Sequence, residues 1–145
     1  MNAPIKDVFA ALGHEMTMTR AMLDGARALI ESSEHTAGDD SLLRAETLAL
    51  GCLDRLETNW TTIDAATYEK DVDVNTVCFI LMSELTLTRA MLDGAYKLIG
   101  ECEHSDTDVA LAHAQTLSHT CLARLETAYD RIDRASIDAT AQGAA

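Results

Sequence analysis

Apolar residues recur at three- and four-residue steps through most of the chain. Val8, Phe9, Leu12, Met16, Thr19, Met22, Leu23, Ala26, Leu29 and Ile30 fall on one side of a helix. Pro4 stands near its start, where a missing N–H costs nothing. The stripe stops near Ser33. Residues 35–41 (HTAGDDS) then read as a loop, with Gly38 inside it and Asp39, Asp40 and Ser41 as candidate N-caps. A second stripe follows: Leu42, Ala45, Ala49, Cys52, Leu53, Leu56, Trp60, Ile63 and Ala66. After a short polar link, residues 70–75, with Asp73 or Asn75 as the next cap, the pattern starts again. Val77, Leu81, Leu85, Met91, Leu92, Leu98 and Ile99 form a third stripe, residues 105–108 a turn, and Leu111, Ala114, Cys121, Leu122, Leu125, Tyr129 and Ile132 a fourth. No sustained alternation marks a strand, and the leucine, alanine and glutamate content favours helix.

The second pair of stripes repeats the first at an offset of 69 residues. TRAMLDGA occupies residues 19–26 and again 88–95, and RLET occupies 55–58 and 124–127. Of the 59 positions in residues 8–66, 30 are identical to those in 77–135. This is the mark of an internal duplication, with repeats 5–69 and 74–138 in one helical domain and a flexible C-terminal tail over 139–145. A helix of about 28 residues is about 42 Å long. One such hairpin cannot bury its apolar faces alone, but two can. The expected fold is all-α: an antiparallel four-helix bundle of two tandem duplicated helical hairpins with pseudo-two-fold symmetry.

Composition narrows the function. With 11 basic and 24 acidic side chains the net charge is −13, which disfavours nucleic acid and anionic membrane surfaces as partners. No apolar run approaches a membrane span, and residues 1–13 lack the pattern of a secretory signal. The four cysteines form no C-x-x-C pair and read as reduced, buried side chains, so a cytoplasmic location is expected.

Several polar residues invite a sharper interpretation. Arg20 and Asp24 are four apart on one helix, and folding the hairpin near residue 37 brings Asp24 towards Arg55 and Arg20 towards Glu57 or Asp54. Arg89, Asp93, Arg124 and Glu126 repeat this set. A structural ion-pair network accounts for all eight. Ala21, Gly25 and Ala28, echoed by Ala90 and Gly94, suggest close approach of the first and third helices, with a dimer seam as the alternative. Glu15 and Glu84 fall within the apolar stripes and need partners, with Thr19, Thr88, Trp60 or Tyr129 as candidates for hydrogen bonding. A di-iron bundle would also need two Glu-x-x-His pairs. The one such pair, Glu101 and His104, has Ser32 in place of the glutamate in the first repeat. His35 and His104 recur beside a glutamate and suit the C-terminal ends of helices. No nucleophile elbow, phosphate loop or zinc-helix motif is present. No metal, cofactor or enzymatic activity is therefore expected.

The repeats also differ. Residues 77–82 read VCFILM where residues 8–13 read VFAALG. Six consecutive apolar residues cover more than one helical face, so Phe79, Ile80, Met82 and Leu87 are the candidate partner surface. The expectation is a non-enzymatic protein-interaction module, a regulator, adaptor or small scaffold, whose partner is a protein and includes a second copy as a homodimer. Two alternatives are a bundle holding a metal or small ligand in its core, and an acidic decoy imitating nucleic acid. The second is disfavoured because the acids are interspersed with arginines.

Overall fold

Three of the four long helices begin on an aspartate that satisfies their free N–H groups. Asp39 accepts hydrogen bonds from the amides of Ser41 and Leu42 and starts α2 (Asp40–Tyr68). Asp73 accepts from the Thr76 amide and starts α3 (Val74–Glu101). Asp108 accepts from the amides of Ala110 and Leu111 and starts α4 (Val109–Ala144). The first helix, α1, spans Ile5–Ser32 and is followed by one 3₁₀ turn, Thr36–Gly38. The computed structural model describes residues 5–144, so Pro4 lies outside the described residues. Among the described residues there is no strand.

The helices pack around a square. α1 touches α2 and α4, and α3 touches α2 and α4, which leaves α1–α3 and α2–α4 as the diagonals. Each apolar stripe therefore meets two neighbours, one in its own hairpin and one in the other. Leu12, Leu23 and Ile30 of α1, Leu42, Leu56 and Ile63 of α2, Leu81, Leu92 and Ile99 of α3 and Leu111, Leu125 and Ile132 of α4 are buried in one continuous core. Such an interior removes from water the apolar surface that neither hairpin covers alone.

α4 continues to Ala144, through an alanine-rich stretch of high helix propensity. Two expectations change. Gly25 and Gly94 do not bring α1 against α3. A side chain at Gly25 would meet Leu117 of α4 at 3.8 Å, and one at Gly94 would meet Leu48 of α2 at 3.5 Å. These are ordinary contact distances across adjacent helices, and α1 and α3 are diagonal. On α2 the core follows the spacing Cys52, Leu56, Asn59, Ile63, Ala66. That places the amide of Asn59 inside the bundle at 1 % exposure and leaves Trp60 at the surface at 37 %.

Candidate functional site

The polar residues singled out by the repeat join the two hairpins to each other. Arg55 of α2 donates to Glu84 of α3 at 2.7 Å, and Arg124 of α4 donates to Glu15 of α1 at 2.7 Å. Position 84 is 15 + 69 and position 124 is 55 + 69, so the same contact occurs twice. Glu15 and Glu84 are half-buried rather than enclosed, with side-chain exposures of 29 % and 30 %. Their partners are arginines of the adjacent hairpin and not the threonines or aromatics expected. A carboxylate at the edge of an apolar seam recovers more of its lost hydration from a guanidinium than from a hydroxyl.

The arginine–aspartate pairing drawn within each hairpin is accordingly redistributed. Arg55 is taken by Glu84, and Asp24 pairs instead with Arg27, which also binds Glu31. Arg20 does lie against Glu57, at 3.8 Å. In the second repeat Asp93 pairs with Lys97, while Arg89 and Glu126 line a surface groove between α3 and α4 with no ion pair among the described residues. Exposed pairs of this kind contribute little stability individually.

The end of the bundle that carries the two intra-hairpin loops holds a second crossed set. The Ser33 hydroxyl donates to Asp108, the cap of α4, at 2.7 Å. The Cys102 thiol donates to Asp39, the cap of α2, at 3.3 Å. Ser33 and Cys102 each also accept from a backbone amide two residues on, that of His35 and that of His104. The imidazoles of His35 and His104 then stack face to face. The Cys102 thiol, with the amides of Leu42 and Ser41, holds the Asp39 carboxyl below its usual range. The Ser33 hydroxyl, with the amides of Leu111 and Ala110, does the same for Asp108. Each cap thus serves a helix of its own hairpin while being held by the other. His35, His104, Asp39 and Asp108 are all identical at the 69-residue offset. That identity is the signal by which their meeting could have been anticipated.

On α3 the apolar flank divides. Phe79 is 72 % exposed, Ile80 43 % and Leu87 49 %, whereas Met82 is half-buried and packs against the core. Three of the four proposed surface residues therefore face solvent together on the first half of the helix. At the matching positions α1 carries Ala10, Ala11 and Met18.

All four cysteines are free and buried. Burial pushes the Cys52 thiol up to about 12 and that of Cys121 up to about 11. Both point at backbone carbonyls across the bundle, Cys52 at Thr88 and Cys121 at Thr19. Among the described residues no three or more His, Cys, Asp or Glu side chains are grouped to hold a metal ion. No described helix is long and apolar enough to cross a membrane. Comparison with family models, curated proteins and solved structures returns no match for the chain.

Proposed function

We propose that the chain is a non-enzymatic helical interaction module, a cytoplasmic regulator, adaptor or scaffold that engages a protein through the exposed flank of α3. The observation that carries this reading is the grouping of Phe79, Ile80 and Leu87 at the surface of one helix. Apolar side chains of this size, left uncovered on one helix, gain free energy when a partner removes them from water. Their chemistry suits an apolar helix face, including that of a second copy of this chain.

The module is read as the product of hairpin duplication and fusion, arranged about a pseudo-two-fold axis. Contacts recurring at an offset of 69 support that origin: Arg55 with Glu84 beside Arg124 with Glu15, and Cys52 with Thr88 beside Cys121 with Thr19. At this flank α1 carries Ala10 and Ala11 where α3 carries Phe79 and Ile80. That divergence is what a surface recruited for binding would leave behind.

The test compares wild type with Phe79→Asp by light scattering and by affinity capture from the native cell. Loss of a dimer, or of one specific captured protein, with helicity and melting retained, is the expected outcome. Identical mass and an identical captured set would refute the α3 surface.

A further inference from the structure

A cleft of about 270 Å³ lies between α1 and α2, on helices other than the exposed α3 flank. Its walls include Trp60 and Tyr68, two aromatic side chains that are 37 % and 79 % exposed. Asp64 supplies a carboxylate and His14 an imidazole, and neither lysine nor arginine lines the space. The nearest ammonium on α1, that of Lys6, is committed to the carbonyls of Ala66 and Glu69 at the end of α2. Room for the cleft comes from Gly13, where an added Cβ would stand 3.9 Å from the Trp60 indole nitrogen and 3.6 Å from Ile63.

The second repeat supplies an internal comparison. Where the cleft has Ala10 and Gly13, the positions 69 residues on carry Phe79 and Met82, and Met82 packs against the core. Trp60 and Tyr68 are replaced there by Tyr129 and Ile137. The small residues and the larger aromatic pair thus occur together in one repeat.

We propose that this cleft receives an arginine side chain of a basic partner protein. A guanidinium is flat and weakly hydrated, so it stacks on an aromatic face while pairing with a carboxylate in its plane. Trp60 and Tyr68 line the space with aromatic rings, and Asp64 with a carboxylate. The space is of the order of one long side chain. The chain's net charge of −13 adds a long-range attraction for a basic segment and repels an acidic one. This inference stands apart from the α3 surface and survives its failure.

Trp60 is the only tryptophan, so its emission reports the cleft alone. The full chain is titrated with the blocked tripeptide Gly-Arg-Gly and with the same peptide carrying citrulline, which keeps the shape and loses the charge. Wild type is expected to show a saturable change with the arginine peptide. The citrulline peptide, and Asp64→Asn with the arginine peptide, are expected to bind about tenfold more weakly or worse. Gly13→Met, which copies the second repeat, is expected to abolish saturation while keeping the circular dichroism spectrum and melting curve. Should that variant lose its fold, the near-isosteric Asp64→Asn decides alone. No saturable change in wild type, equal binding of the two peptides, or undiminished binding by Asp64→Asn overturns the proposal.

Discussion

The rings of His35 and His104 lie parallel within 6°, their centroids 3.6 Å apart, each three residues beyond the end of its helix. This is the one ring-on-ring stack between the hairpins among the described residues, and it ties together two loops that are otherwise far apart in the chain. Stacked ring pairs are worth about 0.5–1.5 kcal/mol beyond the area they cover. A double-mutant cycle of His35→Ala and His104→Ala, read from urea melts at neutral pH, should give a coupling of about 0.5–1 kcal/mol. Strict additivity of the two single substitutions would show that the rings are adjacent without stabilising each other.

Acid should loosen the same end of the bundle. Asp39 and Asp108 are held below their ordinary value of 3.8 in the folded chain. A carboxyl with a depressed folded-state pKa contributes stability that is fully present above its unfolded value and is lost as pH falls through the folded one. Melting temperature should therefore drop as pH is lowered from about 5 towards 2. In Asp39→Asn and Asp108→Asn the drop should be shallower, because an amide caps the helix without titrating. An unchanged slope in both variants would refute the assignment.

Asn59 predicts a gain. Its amide nitrogen is buried with no acceptor among the described residues, and the matching position of the second repeat is Ala128, also buried. A buried donor without a partner costs about 1–3 kcal/mol. Asn59→Ala forfeits some packing but removes that penalty, so the melting temperature should rise by about 3 °C. A fall would show that the packing lost with the side chain outweighs the penalty of its unpaired amide.

The thiols should be silent until the bundle opens. Cys52 and Cys121 have no measurable exposure, and burial raises both far above neutral pH. The thiolate is the reactive form. Iodoacetamide at pH 8 should leave both unlabelled in the native protein and label both in urea, as counted by mass spectrometry of the peptides. Rapid native labelling of Cys121 would show that α4 detaches from the core.

The four helices were legible because the apolar spacing is regular over four long segments and each loop carries a capping aspartate. Placement of residues within a turn was less so. The apolar bulk of Trp60 assigns it to the buried stripe, and only the strict alternation of four- and three-residue steps through Leu56, Asn59 and Ile63 shows that it belongs outside. The ion pairs between the hairpins were not legible. The register of one hairpin says which residues of α1 and α2 are level, but not whether Arg55 turns to α1 or to α3. That choice depends on how the second hairpin is laid against the first. The register of the first hairpin does make Gly13 level with Trp60, but the cleft between them stayed hidden because Trp60, taken as a buried residue, would have filled that space.

Lys6 reaches the carbonyls that close α2, which puts the beginning of α1 beside the link to α3, and α4 runs antiparallel back to that end. Both extremities of the described chain therefore leave from one pole, while the paired imidazoles crown the other, about 40 Å away along helices of 28 residues. A cargo fused to either terminus would hang from the first pole and leave the crown unobstructed.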